Sequence, residues 1–282
     1  MNCSPHLRGI FGYSIHAPSS LNQPDFRNSP YPYPTHHHLT TYPTPMSPKP
    51  PTLIWDLPTR IFHWLLAFVV SLQFITGLLG GDWLTWHAYL GYLSLTLILF
   101  RIFWGFFGGY WSLFKSFVPS VHQLFNFLKT FEYSKTSSPP ESTVLQQTTQ
   151  FAGHNPLGAI SVLVMLLSLA LQVLSGMMSN DDIAFAGPLT AHISNDTVEW
   201  MTWYHSEVGF YLILFLITLH ILAIVYYKVR KGEMLTVSMI HGHKKIEAPI
   251  RASDDSTKNR MLALALFLLS GLIVYWVLTV VQ

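Results

Sequence analysis

Four histidines stand in, or at the mouths of, long apolar stretches of the chain: His63, His87, His205 and His220. An ionisable residue at membrane depth is costly and therefore a site by default. His205 and His220 share one stretch, Trp203–Lys228, of membrane-spanning length. At about 100° per residue the steps between them bring both rings to within roughly 60° of each other, about 22 Å apart along the axis. A single cysteine, Cys3, stands against 14 histidines, so any metal here is held by imidazole. Zinc usually takes a third or fourth protein ligand, and the apolar stretches offer none nearby. Two neutral imidazoles from two helices suit the axial positions of a six-coordinate b-type haem.

Such ligands need helices to carry them. Half of the 282 residues are hydrophobic and only 11% are charged, against about 25% charged in soluble domains. This excludes a soluble enzyme and predicts an all-α integral membrane protein. Five apolar spans are each near the roughly 20 residues a bilayer requires. They run over about 59–79, 83–107, 156–178, 203–228 and 261–281. Pro156 suits a first helical turn. Residues 1–50, rich in Pro, Ser, Thr and Tyr, read as a disordered tail; Met46 begins a more natural start, making the first 45 residues an extension. Residues 51–231 form the main domain, 232–260 a basic loop, and 261–281 a fifth transmembrane helix. Between spans two and three, residues 114–133 read as one amphipathic interfacial helix.

All 16 Lys and Arg precede or open span one, lie from the last turns of span two to the start of span three, or lie from the end of span four to the start of span five. Asp82, Asp181, Asp182, Asp196 and Glu199 fall on the opposite face, with no Lys or Arg. The positive-inside rule then predicts a multi-pass protein of the cell inner membrane, its N-terminus cytoplasmic and its C-terminus outside. Depth follows. His63 and His220 share the inner half of the bilayer; His87 and His205 share the outer edge. Each pair takes one histidine from span four.

Trp86-His87-Ala-Tyr-Leu-Gly91 and Tyr204-His205-Ser-Glu-Val-Gly209 repeat an aromatic-His-xxx-Gly pattern. Gly91 and Gly209, one turn from each histidine, are read as clearance for a flat ring, with helix packing as the competing reading. His154, in Gly-His-Asn-Pro at the mouth of span three, is a fifth candidate: a propionate or quinone contact, or a replacement for His220. Arg60 and Arg101 at the inner mouth are candidates for propionate pairing or quinone orientation, or are anchors set by topology.

The segments IWDLPTRIFHW, WHAYLGY, RIFWGFFG, GHNPLGA, DDIAFAGPL, YHSEVGF and LHILAIVYYK resemble, in order, the bacterial cytochrome b561 / nickel-hydrogenase b-type cytochrome family over about residues 52–245. The resemblance implies a four-helix haem-binding bundle with two haems b, and electron transfer involving the quinone pool of a respiratory chain. It carries the family's haem histidines onto His63, His87, His205 and His220, and its third-span histidine onto His154. The expected partners are the lipid bilayer, a quinone, and a c-type cytochrome or an oxidoreductase catalytic subunit. No nucleic acid is expected, and the oligomeric state is open. A stand-alone quinone or superoxide oxidoreductase of the same family is the first alternative. The second is a non-redox transporter or scaffold with structural histidines.

Overall fold

A computed structural model describes residues 51–133, 152–183, 185–246 and 249–281. The stretch read as a disordered tail, residues 1–50, lies outside the described residues, as do residues 134–151 of the long connection. Five helices are long and apolar enough to cross a membrane: Leu57–Leu79, Trp83–Phe107, Pro156–Met177, Asn195–Lys231 and Thr257–Val280, the first to fifth spans. The chain is an all-helical membrane protein. Its outward faces carry exposed Phe68, Leu78, Phe215 and Leu272, an apolar surface that lipid accommodates and water does not.

The ends of the spans have local causes. Asp56 caps the first span by accepting from Thr59 N, with Pro58 in the opening turn. Asn155 caps the third in the same way, accepting from Gly158 N, with Pro156 following. Side-chain oxygens at this position satisfy amide groups that the helix leaves free. The first and second spans are joined at Gly80 and Gly81, whose φ angles of 63° and 55° suit glycine alone without strain.

Two elements differ from the sequence reading. The fourth span starts at Asn195, before the Trp203 that hydropathy suggested. Ser194 caps it through Thr197 N, and Asp196 sits in the first turn, where a carboxylate favours the helix dipole. These turns are polar, so an apolar window misses them. The span also widens into π-helix over Tyr204–Gly209 and again over Tyr227–Lys231. The interfacial helix is in fact two pieces, Phe114–Phe117 and Val121–Tyr133. Pro119 stops the first, and Ser120 and Gln123 form a reciprocal cap for the second.

The second span packs against the first, the third and the fifth, and the third packs against the fourth. The fourth makes no comparably close backbone packing with the first or second among the described residues. At the basic end, Thr52–Leu53 pairs antiparallel with His243–Lys244. A short helix, Leu235–His241, leads into that strand. Arg60 donates to Ile240 O, and Trp111 Nε1 to Arg251 O. Asp255 bridges Leu57 N and Arg260. Residues 235–246 and 249–255 thus strap the ends of the first two spans before the fifth begins.

Beneath the strap, Asp56 is fully buried. Its carboxylate accepts from Thr59 N and Ser112 Oγ at 2.8 Å each and from Trp104 Nε1 at 3.4 Å. Replacing it with alanine removes the cap and leaves these donors unsatisfied. Asp56→Ala is expected to destabilise the protein by about 2–4 kcal/mol. Thermal unfolding in detergent checks this, and a melting temperature unchanged from wild type would contradict it.

Candidate functional site

The four span histidines meet in two pairs. The rings of His63 and His220 have centroids 6.5 Å apart with planes at 52°. Those of His87 and His205 are 5.9 Å apart at 88°. Each pair takes one ring from the fourth span and one from the first or second, the two spans from which the fourth stands off. Imidazole nitrogens bind first-row metals at about 2.0 Å, so two rings facing each other across one metal have centroids roughly 6 Å apart. Both pairs fit that spacing. No group of three or more His, Cys, Asp and Glu side chains suited to a metal ion occurs among the described residues. Two facing imidazoles could offer a planar macrocycle two-point ligation.

The acidic-end pair is held by the neighbouring spans. His87 Nδ1 donates to Gln73 O at 3.0 Å, and His205 Nδ1 to Gln172 O at 2.9 Å. A carbonyl oxygen can only accept, so each Nδ1 carries the proton and each Nε2 keeps its lone pair for a ligand position. Thr76 Oγ1 and Ser175 Oγ lie 3.3 Å from the same two nitrogens. His205 sits within the Tyr204–Gly209 π-turn, a distortion that recurs at functional sites. At the other pair, His63 packs edge-on against Trp64 at 5.0 Å. Its Nδ1 is buried with no hydrogen-bond partner among the described residues.

The glycines divide unexpectedly. A side chain at Gly77 would meet His87 Cε1 at 3.1 Å, and one at Gly176 would meet His205 Cε1 at 2.7 Å. These two glycines make room for the ligand rings themselves. Gly91 and Gly209 instead face the side chains of Gln73 and Gln172, so the room there is taken by a glutamine. The sequence reading passed over Gly77 and Gly176. A signal was present: Gln73-Phe-Ile-Thr-Gly77 and Gln172-Val-Leu-Ser-Gly176 repeat the same pattern on the first and third spans.

His220, and not His154, faces His63. His154 packs against Trp55 at 4.7 Å and Phe117 at 4.8 Å, and its Nδ1 is buried without a hydrogen-bond partner among the described residues. Burial, with the nearby charges of Arg101 and Lys244, pushes its pKa down to about 3. Arg101 is buried, donates to Ser112 O at 3.1 Å, and lies over the rings of Phe114 and Phe117. Arg60 is engaged by Ile240 O and lies 3.8 Å from Asp255. Both guanidiniums therefore hold loop segments onto the span ends.

Residues 54–242 match the family described as prokaryotic cytochrome b561. No curated protein and no solved structure matches the chain. The family match covers more than half of the chain, so the chain belongs to that family, as a membrane b-type cytochrome that binds haem b and works in electron transfer.

Gly176→Ala is expected to displace the His205 ring and lower haem content more than Gly91→Ala does, because the neighbour at Gly91 is a glutamine end at 3.6 Å. Pyridine haemochrome assay of the two purified variants checks this; equal losses would contradict it. His154 gives a pH dependence. Its pKa is lowered by folding, so its contribution is complete above the ordinary value of 6.5 and is lost as pH falls from there toward about 3. His154→Phe is expected to flatten the fall in melting temperature across that window, and an unchanged slope would contradict the assignment.

Proposed function

We propose that this member of the prokaryotic cytochrome b561 family carries two haems b in tandem and passes electrons across the membrane between a quinone pool and a redox partner. The observation that supports it most directly is the meeting of the four span histidines in two pairs, at 5.9 and 6.5 Å, across the space beside the fourth span. His87 and His205 would hold one haem near the acidic end, and His63 and His220 the other nearer the basic end. When bound, the haems supply reversible one-electron chemistry and the protein sets its direction.

The residues have separable tasks in this reading. Gln73 O and Gln172 O fix the protonated nitrogen of each acidic-end ligand and raise its basicity. Trp64 packs edge-on against His63, and Phe74 of the first span meets Phe210 of the fourth, giving apolar contacts between the spans that carry the rings. Such a surround excludes water and lowers the local dielectric. Gly91 and Gly209 give the glutamine side chains space. His154, neutral across the physiological range and carrying a buried nitrogen without a hydrogen-bond partner among the described residues, is the candidate hydrogen-bond contact for a haem propionate or a quinone. Arg60 and Arg101, engaged with the loops, would act from a distance through their charge.

The confinement of Lys and Arg in the sequence to the segments on one side of the spans supports a cytoplasmic N-terminus in a bacterial inner membrane. The opposite end, bearing Asp82, Asp181, Asp182, Asp196 and Glu199, would favour a basic partner such as a c-type cytochrome, with association slowed by salt.

The test is optical and mutational. Purified protein reduced with dithionite is expected to show a b-type α-band at two haems per chain. His87→Ala and His205→Ala are each expected to remove one and the same haem, and His63→Ala and His220→Ala the other. A single haem per chain, or a haem lost alike in all four variants, would refute the two-haem arrangement.

A further inference from the structure

One device occurs twice at the acidic end and, among the described residues, is missing from the basic end. Gln73-x-x-Thr76-Gly77 lies on the first span and Gln172-x-x-Ser175-Gly176 on the third. Each lies the same distance along its helix from the capping residue, Asp56 in one case and Asn155 in the other. Each then acts on a histidine of the following span. The glutamine carbonyl accepts from histidine Nδ1 at 3.0 Å in one copy and 2.9 Å in the other. The hydroxyl stands 3.3 Å from Nδ1 in both. Thr76 spends its proton on Leu72 O and Ser175 on Gln172 O, so each hydroxyl turns a lone pair toward the imidazole N–H. The glycine lies against the ring. The glutamine side chains brace the arrangement, Gln73 Oε1 accepting from Ser94 Oγ and Gln172 Nε2 donating to His205 O. At the basic end, His63 Nδ1 is buried and has no hydrogen-bond partner among the described residues.

We propose that Gln73, Thr76 and Gly77 with Gln172, Ser175 and Gly176 form a duplicated positioning device that makes the acidic-end haem the lower-potential haem of the pair. This rests on the two-haem reading above. An imidazole whose N–H is held by acceptors is a more basic ligand, and a more basic ligand favours the oxidised iron, which carries the greater positive charge. Charge works in the same direction. Asp181, Asp182, Asp196 and Glu199 belong to the acidic end, and among the described residues Arg60, Arg101, Lys244 and Arg260 to the other. Negative surroundings favour the oxidised state and positive ones the reduced state. Electrons then run downhill from the acidic end to the basic end. The step moves one electron, oxidising the acidic-end iron and reducing the basic-end iron, with no bond or proton exchanged. Two such transfers, fed by a one-electron reductant at the acidic end, would reduce one quinone to quinol at the basic end with the uptake of two protons there.

Potentiometric titration of the full purified chain tests the inference. In His63→Ala the haem that remains is expected to be the lower-potential component of the wild-type titration. Thr76→Val and Ser175→Val are each expected to retain two haems and to raise only that lower potential. The conservative swaps Thr76→Ser and Ser175→Thr are expected to restore the wild-type value. The inference is overturned if the haem left in His63→Ala is the higher-potential one. It is overturned equally if the valine variants leave both potentials in place or move only the higher. If a valine variant loses the haem altogether, the His63→Ala titration decides alone. A wild-type ratio of one haem per chain or fewer would instead sink the two-haem reading beneath it, so the two failures are distinguishable.

Discussion

An imidazole in a membrane has two nitrogens to satisfy and no water to satisfy them. The arrangement of the spans follows from how that demand is met. At the acidic end one nitrogen of each histidine is given to a main-chain carbonyl of the preceding span, Gln73 O or Gln172 O. This leaves the other nitrogen as a lone pair. The geometry asks for an acceptor on one side and a metal on the other, and it asks for both twice. Helices must then approach closely where the carbonyl is offered and stand apart where a ligand of the free nitrogens would sit. Gly77 and Gly176 allow the close approach. The separation of the fourth span from the first and second provides the rest.

Depth must be set as well as distance, and this falls to a polar knot at the basic end. Asp56, Thr59, Trp104 and Ser112 satisfy one another beneath the strap. A buried network of this kind specifies one arrangement only when all its members are paired. Because Asp56 is also the cap of the first span, the network fixes where that helix begins and thus how deep His63 lies. Arg101, enclosed by Phe114, Phe117 and Ser112 O, anchors the loop after the second span in the same manner.

Much of this could be read from residue order. Length and hydropathy locate five spans, and the one-sided distribution of Lys and Arg assigns each histidine a depth, so which histidines would face one another was legible. What escaped was local. Gly91 and Gly209 share a spacing from their histidines that suggests ring clearance, yet an α-helical neighbour one turn away faces the adjoining helix, where a glutamine stands. Gly77 and Gly176 are on other helices altogether, so no spacing from a histidine reveals them; only the repeated Gln-x-x-Thr/Ser-Gly does. The start of the fourth span at Asn195 was hidden because its first turns are polar and are held by a cap, not by lipid. The pairing of Thr52–Leu53 with His243–Lys244 joins segments far apart in sequence that carry no strand pattern.

The two caps also explain why the site can exist. Asp56 reaches Trp104 and so ties the first span to the second. Asn155 receives its counterpart from the other direction, donating to the hydroxyl of Tyr227 and so tying the third span to the fourth. The first four spans thereby form two hairpins, each closed by its own cap at the basic end and by its own histidine–carbonyl bond at the acidic end. Packing of the second span on the third joins them directly. His63 and His87 belong to one hairpin, His205 and His220 to the other, so both histidine pairs reach across the division. A ligand bound by either pair therefore does more than occupy a pocket. It would add a bond between hairpins on the side where their backbones stand apart and only side chains such as Phe74 and Phe210 meet, so that inserting the cofactor and completing the bundle would become one event.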